Sequence, residues 1–223
     1  MDDTNNVSIE TPLQGIYFHP VIRLLAKVIS FIFHPLFIPL YISWFLIYQS
    51  SIFPAFTPFD NIRLFAMFFV MYTLFPLVTV LLTKGLGFIE SIYLKTQRDR
   101  IIPYVAFNLY SFWMWYVLKT KFKDSPLLVM LSLAIFLSSS LGLIINGFVK
   151  VSMHAISVGV MVTFMLLLGF SSDINIGIYI SLALLITGSV CTSRLINGDH
   201  YPVEIYLGLF LGIISQLIAY WLV

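Results

Sequence analysis

Long apolar runs alternate with short polar breaks along this chain, and the runs are of bilayer-spanning length. After a polar opening stretch, residues 16–33 carry Arg23 and Lys27 among Ile22, Leu24, Leu25, Val28 and Ile29, a spacing that predicts an amphipathic helix at a membrane interface. His34-Pro35 and Pro39 then interrupt the path, and a run over 34–50 follows, near the short end of what crosses a bilayer. Ser50 to Asp60, with Pro54 and Pro58, reads as a loop. Further spans are expected at 62–83, 101–118, 126–147, 152–170, 175–192 and 203–223. Trp113, Trp115 and Trp221 lie towards span ends, as interfacial aromatics do. The pattern predicts an all-α, polytopic transmembrane helix bundle of about six to seven spans. Residues 1–15 form a polar tail and residues 16–223 a single integral-membrane domain.

Composition strengthens this reading. Hydrophobic residues make up 60% of the 223 residues and charged residues 10%, with a mean hydropathy of +0.98. A soluble domain carries about a quarter charged residues. The formal net charge of +2 is dispersed, without a basic stripe, which argues against a nucleic-acid partner. The single cysteine, Cys191, sits in an apolar run and reads as a small packed hydrophobe. The opening Met-Asp-Asp-Thr-Asn-Asn lacks the basic region of a signal peptide, so targeting is expected from the first hydrophobic segment.

The polar breaks then concentrate the chemistry. Two spans separate Arg100 from Lys150, and two more separate His154 from Arg194. Each pair returns the chain to the side it left, so the clusters at 95–100, 150–154 and 193–204 are expected on one membrane face. Ionisable residues at span ends are costly without partners or water. In the third cluster His200 and Glu204 are four apart, on one face of a helical turn, and the carboxylate can hold one imidazole nitrogen while the other reacts. Arg194 offers a fork of donors for an oxyanion. In the second cluster Lys150, Ser152 and His154 open a span, where free backbone N–H groups favour an anion. In the first, Lys95, Arg98 and Arg100 supply cations, either as a headgroup anchor or as a clamp on phosphate oxygens. The inventory suits phosphoryl transfer. It does not suit a metal site, because the histidines lack companions at ligand spacing, and no cofactor is expected.

These residues resemble the motifs of the type 2 phosphatidic acid phosphatase superfamily, related to vanadium haloperoxidases. The third family motif, Ser-Arg, five residues, His, three residues, Asp, is met by Ser193-Arg194, His200 and Glu204 with one acid exchanged. The second, Pro-Ser-Gly-His, is met by Ser152 and His154, with Val151 and Met153 replacing Pro and Gly. The first, Lys, six residues, Arg-Pro, keeps Lys95 and Pro103 but has Ile102 where arginine belongs, and Arg98 or Arg100 stands ready to replace it. The matches lie within residues 84–223, and the first 80 residues carry none.

The resemblance implies a metal-independent lipid phosphate or diphosphate phosphatase. His200, oriented by Glu204, would form a phosphohistidine, and His154 would protonate the leaving oxygen. Arg194, Ser152, Lys150, Lys95 and Arg98 or Arg100 would hold the non-reacting oxygens. The expected partners are the membrane and a lipid phosphate. Basic residues outside the clamp are nearly balanced: Arg23, Lys27 and Lys84 on the site face, against Arg63 and the compact turn of Lys119, Lys121 and Lys123. The compact turn leans towards the cytoplasm, which puts the site outside, in a cell (inner) membrane. Two alternatives use the same cations without chemistry: a lipid-anion transporter, and a catalytically inactive membrane scaffold of the same fold.

Overall fold

The structure is a computed structural model that describes residues 18–49, 57–94, 96–122, 125–171 and 175–223. Among the described residues every regular element is a helix: α1 (Pro20–Ile32), α2 (Ile38–Gln49), α3 (Pro58–Gly85), α4 (Gln97–Lys121), α5 (Pro126–Asn146), α6 (Met153–Ser171), α7 (Gly177–Ile196) and α8 (Pro202–Leu222). Six of them, α3 to α8, are long and apolar enough to cross a membrane. The protein is an all-α, polytopic integral membrane protein, as the hydropathy pattern predicts. The polar tail expected at 1–15 lies outside the described residues.

Local chemistry sets the helix starts. Thr57 accepts the Asp60 N–H at 3.2 Å and Pro58 occupies the first helical position, so α3 begins ahead of its apolar run. Thr96 accepts the Asp99 N–H at 3.1 Å and starts α4 inside the polar stretch, so Arg98 and Arg100 lie on its first turns rather than in a loop. Within α3 a π-helical turn covers Val70–Leu74. Pro76 follows it, without an N–H to return to Tyr72, which is where an α-helical ladder must loosen.

The centre of the bundle is α5 and α6, each with 61% of its span buried within the protein. α6 packs most closely on α8 and α7, α5 on α4 and α8, and α2 on α3 and α6. Leu128, Leu131, Phe164, Leu168, Phe68 and Tyr72 belong to the core they enclose. Hydroxyls and amides staple the helices where lipid offers no partner. Ser139 and Ser140 of α5 donate to Asn108 Oδ1 of α4 at 3.0 and 2.7 Å. Gln97 and Asn146 exchange bonds at 2.9 and 3.0 Å between the start of α4 and the end of α5.

The closest approach is between α6 and α8. A Cβ at Gly208 would stand 2.7 Å from the Ser152 carbonyl, and one at Gly159 would stand 2.6 Å from the Leu209 carbonyl. A Cβ at Gly212 would collide with the carbonyl of Ile156. Gly208 and Gly212 are four apart, one turn of one face, and let the two backbones touch.

α1 forms within the segment where an amphipathic helix is expected, and it packs along α7, with its end beside the end of α7. Ser30 Oγ meets Ser193 Oγ at 2.9 Å and accepts from Asn197 Nδ2 at 3.3 Å. A single hydroxyl thus ties the end of α1 to the end of α7. Its opposite face, with Leu24 and Phe31, stays exposed.

The packing predicts opposite outcomes for two glycines. Gly212→Ala, with no room for its Cβ, lowers stability by about 1–3 kcal/mol. Gly188→Ala on α7, whose Cβ meets nothing within 4 Å, leaves stability unchanged or raises it by up to about 1 kcal/mol. Thermal unfolding of the two variants in detergent checks the pair.

Candidate active site

The starts of α4, α6 and α8 and the ends of α1 and α7 meet at one end of the bundle. At the start of α6, buried Ser152 accepts the Ala155 N–H on its hydroxyl at 3.4 Å, and its own N–H donates to the Glu204 carbonyl at 3.2 Å. At the start of α8, Pro202 fixes the first helical φ, and the Glu204 carboxylate accepts the Tyr201 N–H at 3.2 Å. The turn from α7 into α8 passes through Gly198, whose φ of +71° is left-handed and suits glycine. At the start of α4, buried Arg100 donates from Nη1 to the Val151 carbonyl at 2.8 Å and from Nε to the Leu94 carbonyl at 2.9 Å. Leu94 adopts φ +49°, a conformation costly for leucine by about 1–3 kcal/mol, in the residue whose carbonyl holds Arg100.

The same Glu204 oxygen takes His200 Nδ1 at 2.7 Å. The His200 side chain is 1% exposed and that of Glu204 12%. A carboxylate accepts, so Nδ1 carries the proton and Nε2 keeps the lone pair. Burial, foremost, and the charges of Arg100, Arg194 and Lys150 push the His200 pKa down to about 3, against a contact with the Lys150 main chain that favours the protonated form. Lys150 donates to the Asp199 carbonyl at 3.1 Å, and burial and the Arg100 charge hold its ammonium below the usual lysine range.

Arg194 pairs through Nη2 with Asp199 at 2.8 Å, while its Nε is buried with no hydrogen-bond partner among the described residues. His154 meets the Ser30 carbonyl through Nε2 at 3.1 Å. A carbonyl only accepts, so that nitrogen carries the proton and Nδ1 is left for other use. His154 stands in the field of Arg194, His34 and His200. The His34 ring lies edge-to-face with it, 5.2 Å between centroids, and burial with the Arg194 charge lowers the His34 pKa to about 4.

The structure therefore gathers seven of the residues singled out from sequence: Arg100, Lys150, Ser152, His154, Arg194, His200 and Glu204. Arg98 is not among them; it is exposed on the first turn of α4, while Arg100, two residues on, turns inward. Lys95 lies outside the described residues. Three residues in the cluster carried no motif. Asp199 lies within the third cluster and directly precedes His200. Ser30 and His34 come from the α1–α2 segment, far away in sequence, and His34-Pro35 read only as a kink. Among the described residues no three His, Cys, Asp or Glu side chains stand together as a metal ion would need. Compared with known proteins, the chain matches no family model, no curated protein and no solved structure.

Chemically, the arrangement can hold an anion against buried cations and present a neutral imidazole to it. Asp199 opposes this by occupying Arg194. Asp199→Asn is expected to tighten binding of inorganic phosphate by a factor of about two to five, the worth of a part-exposed ion pair. Calorimetric titration of the protein in detergent at low ionic strength measures it.

Proposed function

We propose that this protein is a phosphatase of lipid phosphates or diphosphates that works through a phosphohistidine on His200. The observation that carries the reading is the His200–Glu204 pair at 2.7 Å, set in the joint field of Arg100, Arg194 and Lys150. A buried imidazole with one nitrogen fixed by a carboxylate and surrounded by cations is a nucleophile for an anionic electrophile. Its chemistry needs the ring neutral, which is the form these cations favour.

The geometry supports the following steps. The phosphate docks on Arg194, whose unpartnered Nε is a ready donor, with Lys150, the Ser152 hydroxyl and the first N–H groups of α6 on its other oxygens. It must come between His200 and the Lys150 main chain to reach Nε2. Nε2 attacks phosphorus, the bond to the leaving oxygen breaks, and His154, protonated once the phosphate's negative charge offsets the field of Arg194, gives that oxygen a proton from Nδ1. Neutral His154 then takes a proton from water as the water oxygen attacks phosphorus, the N–P bond breaks, and phosphate leaves. Arg100, bound to the carbonyls of Leu94 and Val151, acts through its charge and by holding the α6 start in place. Met153, where the related motif has glycine, narrows the approach at that N–H. A substrate anchored in lipid reaches the end of the bundle by moving along the membrane. The compact lysine turn at the other end supports an outward-facing site in the cell membrane.

Purified protein in detergent is expected to release phosphate from a lipid phosphate. His200→Ala abolishes turnover, Arg194→Ala lowers kcat by about 10²–10³, and His154→Ala slows breakdown enough to trap an acid-labile phosphorylated protein. Release of no phosphate from any lipid phosphate or diphosphate by a protein that binds them would sink the enzyme reading and leave transport or scaffolding.

The pH dependence has a definite sign. His200 stays neutral far below the ordinary histidine range, so kcat/KM does not fall as pH drops through about 6.5 on its account. Lys150→Met removes one of the depressing charges, raises the His200 pKa and moves the acid limb upward. A wild-type limb near pH 6.5 that Lys150→Met leaves in place would contradict this assignment.

A further inference from the structure

A groove of about 530 Å³ runs between α1 and α7, with Ile22, Leu25, Ala26 and Ile29 on one wall and residues from Leu184 to Ile196 on the other. That volume lies in the range of pockets that take a drug-sized ligand. We infer that this groove seats the hydrocarbon chain of the substrate whose phosphate lies on Arg194; the inference rests on the phosphatase reading and names its substrate as chain-bearing and entering from the side.

Three observations carry it. First, the groove ends beside the site. Ser193 lines it and also meets Ser30, whose carbonyl holds His154. Second, its polarity is graded along α7. Leu184 and Leu185 form the end remote from the site, while Ser189, Thr192 and Ser193 bring hydroxyls to the other end, with Ile196 closing it. A lipid phosphate has the same order, chain to apolar end and headgroup to polar end. Third, the groove is open to the bilayer side: Leu25 and Leu185 are 56% and 67% exposed. Leu184 to Ile196 covers twelve residues, about 18 Å of helix, enough to align an extended chain rather than merely touch it.

Inside a membrane, transfer of a chain from lipid to protein brings little hydrophobic gain, so the groove contributes by shape and alignment rather than by bulk affinity. Small residues make that shape. Gly188 and Ala26 leave the groove open, and a Cβ at Gly188 would meet nothing within 4 Å. A large side chain there begins in open space and extends into the groove, which provides the test.

The first measurement uses phosphatidic acid carrying a photoreactive diazirine at the end of one acyl chain, with purified protein in detergent, and maps the adducts. Adducts on Leu184, Leu185, Ile22 or Leu25, lost in Gly188→Phe, are expected. Diacylglycerol with the same diazirine is expected to label these positions several-fold less. Equal labelling by both lipids shows a groove for any membrane lipid and overturns the proposal, as does labelling confined to other helices. The second measurement is turnover. Gly188→Phe raises KM for the lipid phosphate by about tenfold while leaving release from p-nitrophenyl phosphate within about twofold. Equal loss on both substrates overturns the proposal. Groove labelling that needs the phosphate, in a protein that hydrolyses neither substrate, keeps the groove assignment and defeats only the phosphatase reading.

Discussion

The contact between the backbones of α6 and α8 is what the rest of the site depends on. Gly159, Gly208 and Gly212 remove the side chains that would separate these helices. Their approach brings the Ser152 N–H to the Glu204 carbonyl, so the start of α6 is hydrogen-bonded to the first turn of α8. His154 follows Ser152 by two residues and His200 precedes Glu204 by four. Two histidines from separate spans are therefore positioned by main-chain geometry rather than by flexible side chains. A site built on helix ends in this way keeps its geometry better than one carried on long loops.

Holding several cations at such a junction is expensive, and the way each is held differs. Arg100 is bound to two carbonyls, one of them on Leu94 in a left-handed conformation, so it is structural as well as electrostatic. Lys150 touches one carbonyl and keeps most of its donors. Arg194 has a carboxylate on one side and an unpartnered buried nitrogen on the other. Glu204 also serves twice, capping α8 and holding His200. Because the cap alone explains the carboxylate's position, its alignment of His200 adds a constraint on the neighbouring residue that a helix start does not require.

Much of this was legible before any coordinates. Apolar runs of bilayer length gave the spans, and counting spans put three polar clusters at one end, where Arg100 now meets Val151 and Lys150 meets Asp199. The i, i+4 spacing of His200 and Glu204 pointed to their pairing but not to its cause: His200 lies two residues ahead of Pro202, where α8 begins, and the Glu204 carboxylate reaches it while accepting the Tyr201 N–H at the helix start. The choice between Arg98 and Arg100 was not legible: it depends on where Thr96 starts α4, and a two-residue shift there turns one guanidinium inward and the other to the surface. Gly208 and Gly212 showed a one-turn repeat of small residues, but their partner helix follows only from the fold. Ser30 and His34 were invisible because α1 reads as a surface helix, and only docking on α7 carries its end to His154.

A junction that were only a solvated turn between spans would meet a difficulty of energy. A turn between spans needs a glycine, a cap and a proline, which Gly198, Glu204 and Pro202 supply. It does not need Arg100 buried beneath it, Arg194 half-buried with an unpaired donor, or two imidazoles inside their field. Among the described residues the charges that act on Lys150 are Arg100 and Arg194 on one side and Asp199 and Glu204 on the other, so with Lys150 itself the positive charges outnumber the negative by one. Removing charge from water costs several kcal/mol per ion even after relaxation, and apolar substitutes at such positions are often neutral or stabilising. The balance closes if a bound anion supplies the missing charge and the missing acceptor for Arg194 together. On the proposed phosphatase reading, a phosphate with its negative oxygens on Arg194 and its phosphorus before His200 does both, which makes the cost of the cations and the alignment of His200 two consequences of one ligand.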